Sequence, residues 1–174
     1  MHRITHVSLN CINLLLLASL LASCGDLLEP IKPSCPPARS NQESLALLNA
    51  ARQTSRLCGA EAFPAASPLK WDAQLEVAAN GHSNDMATRN FYAHINPDGI
   101  SPSQRTVAAG YGLYTGENIW ATPKSMEEAI EGWLQSPGHC KNIMYAAYTD
   151  YAIACVSNKN SEYGTYWTQS FGFK

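Results

Sequence analysis

The sequence predicts an α+β domain in which helices cover a small, mainly antiparallel sheet. Three observations predict it. Apolar residues recur at helical spacing behind capping residues at Ser40, Asp72 and Ser125; one strand-like run covers residues 114–121; and two alternating runs close the chain around a polar loop at 158–162.

Taken in order, the first helix starts at Ser40, where Ser40 and Glu43 form a capping box, presents Leu45, Leu48 and Ala51, and runs until Gly59 stops it. After a Pro-rich loop, Asp72 caps a longer helix with Leu75, Ala78, Ala79, His82 and Met86 inward and an end near Asn90. His82 therefore reads as a hydrogen-bonded packing residue. Asn96-Pro97-Asp98-Gly99 is a turn signature directly after His94, which sets His94 at the rim of a helix end and a loop. A short helix over 103–109 carries Arg105, a structural partner for Asp98.

The run from Tyr114 to Ala121 is a strand bearing Glu117, with Gly116 allowing close backbone approach. A carboxylate flanked by Tyr114, Ile119 and Trp120 needs a partner, and His94 and His139 are the candidates of interest. Ser125 and Glu128 start the next helix, with Met126, Ile130, Trp133 and Leu134 buried; Pro137 begins a further turn carrying His139, Asn142 and Ile143. Tyr151–Ser157 and Tyr163–Phe173 should pair as an antiparallel hairpin.

The amino terminus carries the signals of export. Residues 1–23 contain Arg3 and an apolar run from Leu14 to Ala22, well under the roughly 20 residues that span a bilayer, so they read as a signal peptide. Leu21-Ala22-Ser23-Cys24 resembles a bacterial lipobox, which makes Cys24 the lipid attachment site and the first mature residue. Residues 24–39 are the lipidated Cys and a Pro-rich tether with Pro30, Pro33, Pro36 and Pro37, and the stretch 25–39 reaches about 45 Å if extended at roughly 3.1 Å per residue. Residues 40–174 form the domain. The mature chain is mildly acidic and has no Lys/Arg cluster, so nucleic acid is excluded as a partner.

Beyond Cys11 and Cys24, four cysteines remain, an even number that suits two disulfides in an oxidising compartment. Three pairings exist. Cys35 with Cys58 and Cys140 with Cys155 is favoured because each pair brackets one short excursion of chain. A four-thiolate zinc site is the rival, but no Cys-x-x-Cys spacing supports it.

Three short segments carry the chemistry: Ala93-His94, Gly116-Glu117-Asn118-Ile119 and Ser136-Pro137-Gly138-His139. Two imidazoles and a carboxylate can make a divalent-metal position, with zinc the natural ion, or an acid/base pair near neutral pH. Spacing alone does not choose.

The order "FYAH", "PDGISP", "GENI", "GWLQSPGHCKNIM" and "YWTQSFG" resembles the bacterial SCP-like branch of the CAP superfamily, named after cysteine-rich secretory proteins, antigen 5 and pathogenesis-related 1 proteins. The resemblance runs from about Glu43 to Phe173. It implies an α-β-α sandwich with a cleft lined by His94, Glu117 and His139; of these, residue type makes His94 and His139 the candidate metal ligands. A second Glu usual in eukaryotic members is replaced here, three residues after Trp133, by Ser136.

Two functional classes follow. One is a cell-envelope binding module whose cleft takes a small amphipathic ligand, a cell-wall fragment or a peptide. The other is a metal-dependent hydrolase acting on peptide, cell-wall or ester substrates, with Glu117 as general base. A third reading makes the three residues a hydrogen-bond network that holds the cleft together. Without a nucleophile elbow, an H-E-x-x-H segment or a free Cys, binding is the favoured expectation.

Overall fold

The computed structural model describes residue 35 and residues 41–112 and 115–174. The expected signal peptide, Cys24, the rest of the tether, the Ser40 cap and Tyr114 lie outside the described residues. Among the described residues no helix is long and apolar enough to cross a membrane.

Helix α1 spans Asn41–Arg52. A hairpin of β1 (Arg56–Cys58) and β2 (Glu61–Phe63) follows, then a short strand β3 (Lys70–Trp71). Next come α2 (Ala73–Arg89), α3 (Pro102–Ala108), β4 (Thr115–Ala121), α4 (Met126–Gln135), α5 (Pro137–Met144), β5 (Asp150–Ser157) and β6 (Thr165–Gly172).

The caps do the work their sequence assigns. Asp72 accepts from the amides of Gln74 and Leu75 at 2.8 and 3.0 Å, satisfying two of the helix's open donors, and Asn90 ends α2 in the left-handed region at φ 55°. Helix α3 starts at Pro102, ahead of the expected 103, because Ser101 and Gln104 form a full capping box that the sequence reading does not include.

Helix α1 ends earlier than expected. The fully buried Arg52 donates from Nε to the Ser67 carbonyl at 2.9 Å and from Nη1 to those of Ile143 and Tyr145. These long-range bonds fix the chain at Arg52, and Gly59, at φ 66°, turns the β1–β2 hairpin instead of ending a helix. Burial pulls the Arg52 pKa down to about 10, so the guanidinium stays charged at neutral pH.

The main sheet has the order β3-β5-β6-β4. The expected β5–β6 hairpin is present, β4 pairs antiparallel with β6, and β3 runs parallel to β5 over two residues. Alternation along the strands fills two cores. Tyr151 and Ile153 of β5 and Trp167 and Phe171 of β6 pack with Leu48, Ile130, Trp133 and Ile143 from α1, α4 and α5. On the other face Ala152 meets Leu75, and Tyr166 meets Met86 and Ala87 of α2. Each large apolar side chain so buried contributes on the order of 2 kcal/mol. Helices thus cover both faces, and the fold is an α-β-α sandwich.

Strand β4 lies at an edge, where unpaired backbone groups invite another strand. Side chains cover it here. The Glu117 carbonyl accepts from Asn142 Nδ2 at 3.2 Å, and that of Ile119 accepts from Tyr92 Oη at 3.0 Å and Trp133 Nε1 at 3.1 Å.

Candidate functional site

The polar cluster forms where β4 meets the loop after α2. Asn96 shapes that loop: its Oδ1 accepts from the amides of Asp98 and Ile100 at 3.1 and 2.8 Å, and its Nδ2 donates to Asp85 at 2.9 Å. Arg105 of α3 closes it from the other side, donating from Nη1 to the Ile100 carbonyl and from Nη2 to that of His94, both at 2.9 Å. His94 is thereby held facing β4.

Glu117 is the hub. His94 Nδ1 donates to its Oε1 at 2.9 Å, and Arg105 Nη2 donates to its Oε2 at 2.8 Å. The carboxylate is 5% exposed and Arg105 11%, whereas the His94 side chain is 47% exposed. A buried carboxylate costs several kcal/mol unless paired, and here both oxygens are paired. With Nδ1 held by Glu117, the exposed edge of the His94 ring carries Nε2 outward.

Arg105 does not pair with Asp98, as expected from sequence; Arg89 of α2 takes Asp98 instead. The turn at residues 96–99 carries Asp98 over the end of α2, while α3 points Arg105 at the sheet.

His82 is a packing residue and also borders the cluster. It is fully buried, donates from Nε2 to the Ala93 carbonyl at 3.0 Å, and lies 3.7 Å from Glu117 Oε1. Burial lowers its pKa, with Glu117 opposing the shift. Helical spacing marks this residue as inward-facing and gives no sign that β4 brings a carboxylate to it.

His139 approaches from the other layer, on α5. Burial lowers its pKa, and the neighbouring His94 adds to the shift. Its Nδ1 is buried without a hydrogen-bond partner among the described residues. Asn118 Nδ2 donates to the His139 carbonyl at 3.2 Å and to Gln169 Oε1 at 2.8 Å, and Asn142 Nδ2 donates to Asn118 Oδ1 at 2.8 Å. This amide chain ties α5 to β4 and sets where His139 stands.

Both disulfides join residues far apart in sequence, contrary to the expected local pairing. Cys58 is bonded to Cys140 and Cys35 to Cys155. The hairpin folds back onto α5, with Gly59 against Pro137 and Glu61 ion-paired to Lys141, so Cys58 and not Cys155 reaches Cys140. The residue beside His139 is anchored to the β1–β2 hairpin and not to a strand of the main sheet.

The donor set does not fit a resident divalent ion. Among the described residues no three His, Cys, Asp or Glu side chains are grouped to hold one. Glu117 already meets an imidazole N–H and a guanidinium, and the positive charge of Arg105 sits where a cation would have to approach that carboxylate. His94 and His139 would be left as two imidazoles without a carboxylate.

The larger cavity, about 520 Å³, lies apart from this cluster, beside β5 and the Cys35–Cys155 bridge. A second, of about 360 Å³, is lined by Glu61, Phe63, Lys141, Asn142, Tyr145 and Tyr148, and shares Asn142 with the cluster.

Fold and cluster together define a domain of known family: the chain belongs to the cysteine-rich secretory protein (CAP) family, whose model matches residues 45–171. It is 34% identical over 126 residues to YkwD of Bacillus subtilis (strain 168), covering 72% of this chain and 44% of that protein. An extracellular SCP-domain protein of Bacillus anthracis superposes with a TM-score of 0.60 at 29% identity, over 76% of this chain and 40% of that one. NaASP2, solved with Zn2+, superposes with a TM-score of 0.56 at 16% identity, over 79% and 83%. The chain spans less than half the length of its two Bacillus relatives.

Proposed function

We propose that this protein is an exported, lipid-anchored binding module of the bacterial cell envelope whose cleft holds a polar ligand without turning it over. The observation that carries this reading is the double engagement of Glu117. With His94 on one oxygen and Arg105 on the other, the carboxylate, 5% exposed, orients an imidazole and balances a guanidinium and turns little surface to water. No Ser, Thr or Cys side chain among the described residues is hydrogen-bonded to either imidazole, so the pair lacks a nucleophile to activate. What remains is the exposed His94 ring, oriented by Glu117, beside a half-buried His139. That suits a ligand bearing hydroxyl or amide groups, such as a cell-wall fragment or an extended peptide. Zinc is no part of this reading, since Arg105 would have to leave Glu117 first.

The test is a titration with a soluble cell-wall digest, followed through the imidazole resonances by NMR. Binding shifts the His94 and His139 signals, and the digest is recovered unchanged. Steady consumption of a digest component, lost in His94→Ala, would instead make the protein an enzyme. The anchoring part rests on Leu21-Ala22-Ser23-Cys24. Cys24→Ser removes the thiol that receives lipid, and the variant should leave the membrane fraction; unchanged fractionation would rule the anchor out.

A further inference from the structure

We infer that the cleft continues along the seam between α5 and β4 into a subsite for a pyranose ring, walled by Tyr145 and Phe63 with Tyr148 behind. The inference rests on the ligand-binding reading above and gives it a substrate class.

Continuity comes from the backbone. Helix α5 and the residue after it place His139, Asn142 and Tyr145 at successive intervals of three, the spacing of one helical face. Strand β4 runs beside them in the opposite sense. Asn118 meets His139, the Glu117 carbonyl meets Asn142, and Gly116 lies under Tyr148. The 360 Å³ cavity lies at the far end of this seam and shares Asn142 with it, and its size lies within the range of about 300–1,000 Å³ usual for small-ligand sites.

The lining selects the ligand. Its three apolar residues are all aromatic and none is aliphatic. Tyr148 is stacked on Phe171, with ring centroids 5.4 Å apart, and Tyr145 meets it edge-on at 4.9 Å, so the wall is rigid. Tyr145 is 49% exposed although it is held in that pair. Around the aromatics stand groups of both polarities. Lys141 donates, Glu61 accepts, and Asn142 has its amide hydrogens committed to Glu117 and Asn118, which leaves its Oδ1 as an acceptor. The Lys141–Glu61 pair is exposed and opens at little cost. Apolar ring faces bordered by mixed donors and acceptors match a sugar, which has C–H faces and a rim of neutral hydroxyls; a charged peptide would use one sign and leave the other unpaired.

The probes are two β-1,4-linked tetrasaccharides, of glucose and of N-acetylglucosamine, titrated calorimetrically into the protein with amide NMR to map the site. At least one should bind and shift Phe63, Asn142, Tyr145 and Tyr148. Tyr145→Ala should weaken it by roughly tenfold or more, and Tyr145→Phe, which keeps the ring, should stay within about threefold. Binding by neither sugar, binding indifferent to Tyr145→Ala, or shifts at these residues with an aromatic or Pro-rich peptide in place of sugar would overturn the inference. If the imidazoles answer to the cell-wall digest while Tyr145 and Tyr148 answer to neither tetrasaccharide, the subsite is wrong and the binding reading stands. If a sugar binds at Tyr145 while the imidazoles stay silent to the digest, the subsite stands and the imidazole cleft is not the ligand site.

Discussion

One nitrogen of Arg105, Nη2, donates to both Glu117 Oε2 and the carbonyl of His94, so a single guanidinium neutralises the buried carboxylate and holds the loop that presents His94 to it. Arg105→Met keeps much of the bulk and removes both of these bonds together with the one from Nη1 to the Ile100 carbonyl. It should destabilise the domain by about 3 kcal/mol, because Glu117 is left buried without its cationic partner. Adding Glu117→Gln should recover part of that loss in a double-mutant cycle of urea midpoints. Simple additivity of the two changes would show that the pair is not coupled.

Peptide mapping without reduction should find Cys58 linked to Cys140 and Cys35 to Cys155. The Cys58–Cys140 bridge closes a separation of 82 residues, and the chain-entropy model assigns such a loop about 4.5 kcal/mol. Replacing both Cys58 and Cys140 by Ser should lower the melting temperature accordingly. It should also broaden the His139 imidazole resonance, because α5 loses its tie to the β1–β2 hairpin. A map with Cys140 joined to Cys155 would contradict the arrangement.

Acid should destabilise the fold through His82 and His139. Burial lowers both pKa values below the ordinary 6.5, so around that pH the unfolded chain binds protons that the folded one refuses. Stability from these groups is therefore complete above about pH 6.5 and declines as pH falls from there toward their lower folded values. Urea midpoints measured from pH 7.5 to 5 should show this fall, and His82→Gln should flatten it. An equally steep fall in His82→Gln would place the linkage elsewhere.

Gly116 has no room for a side chain. A Cβ there would collide with the Tyr148 hydroxyl and come within 2.9 Å of Cζ. Gly116→Ala should cost about 1–3 kcal/mol by overpacking, and Tyr148→Phe in the same background should return part of it by removing the hydroxyl. Thermal melts of the two variants and their combination decide the point.

Much of the architecture was legible in the order of residues. Asp72 and Ser125 cap helices because a short polar side chain reaches the first free amides a few residues on, and that geometry is local. The alternation in β5 and β6 announced a hairpin for the same reason, and the turn built by Asn96 after His94 rests on bonds spanning two to four residues. The end of α1 was less legible, since Gly59 is the local stop signal while the decisive bonds of Arg52 run to residues 67, 143 and 145.

The sequence by itself determined the helices, the central strands and the identity of His94, Glu117 and His139 as residues of interest. Only the tertiary structure decided who meets whom. Arg105 serves Glu117 and not Asp98, His82 lies 3.7 Å from the same carboxylate, and the two disulfides bridge 82 and 120 residues. Those partnerships depend on how two helical layers close over one sheet and its edge strand. That closure is set by the summed packing of side chains remote in sequence, and no short window of the chain contains it.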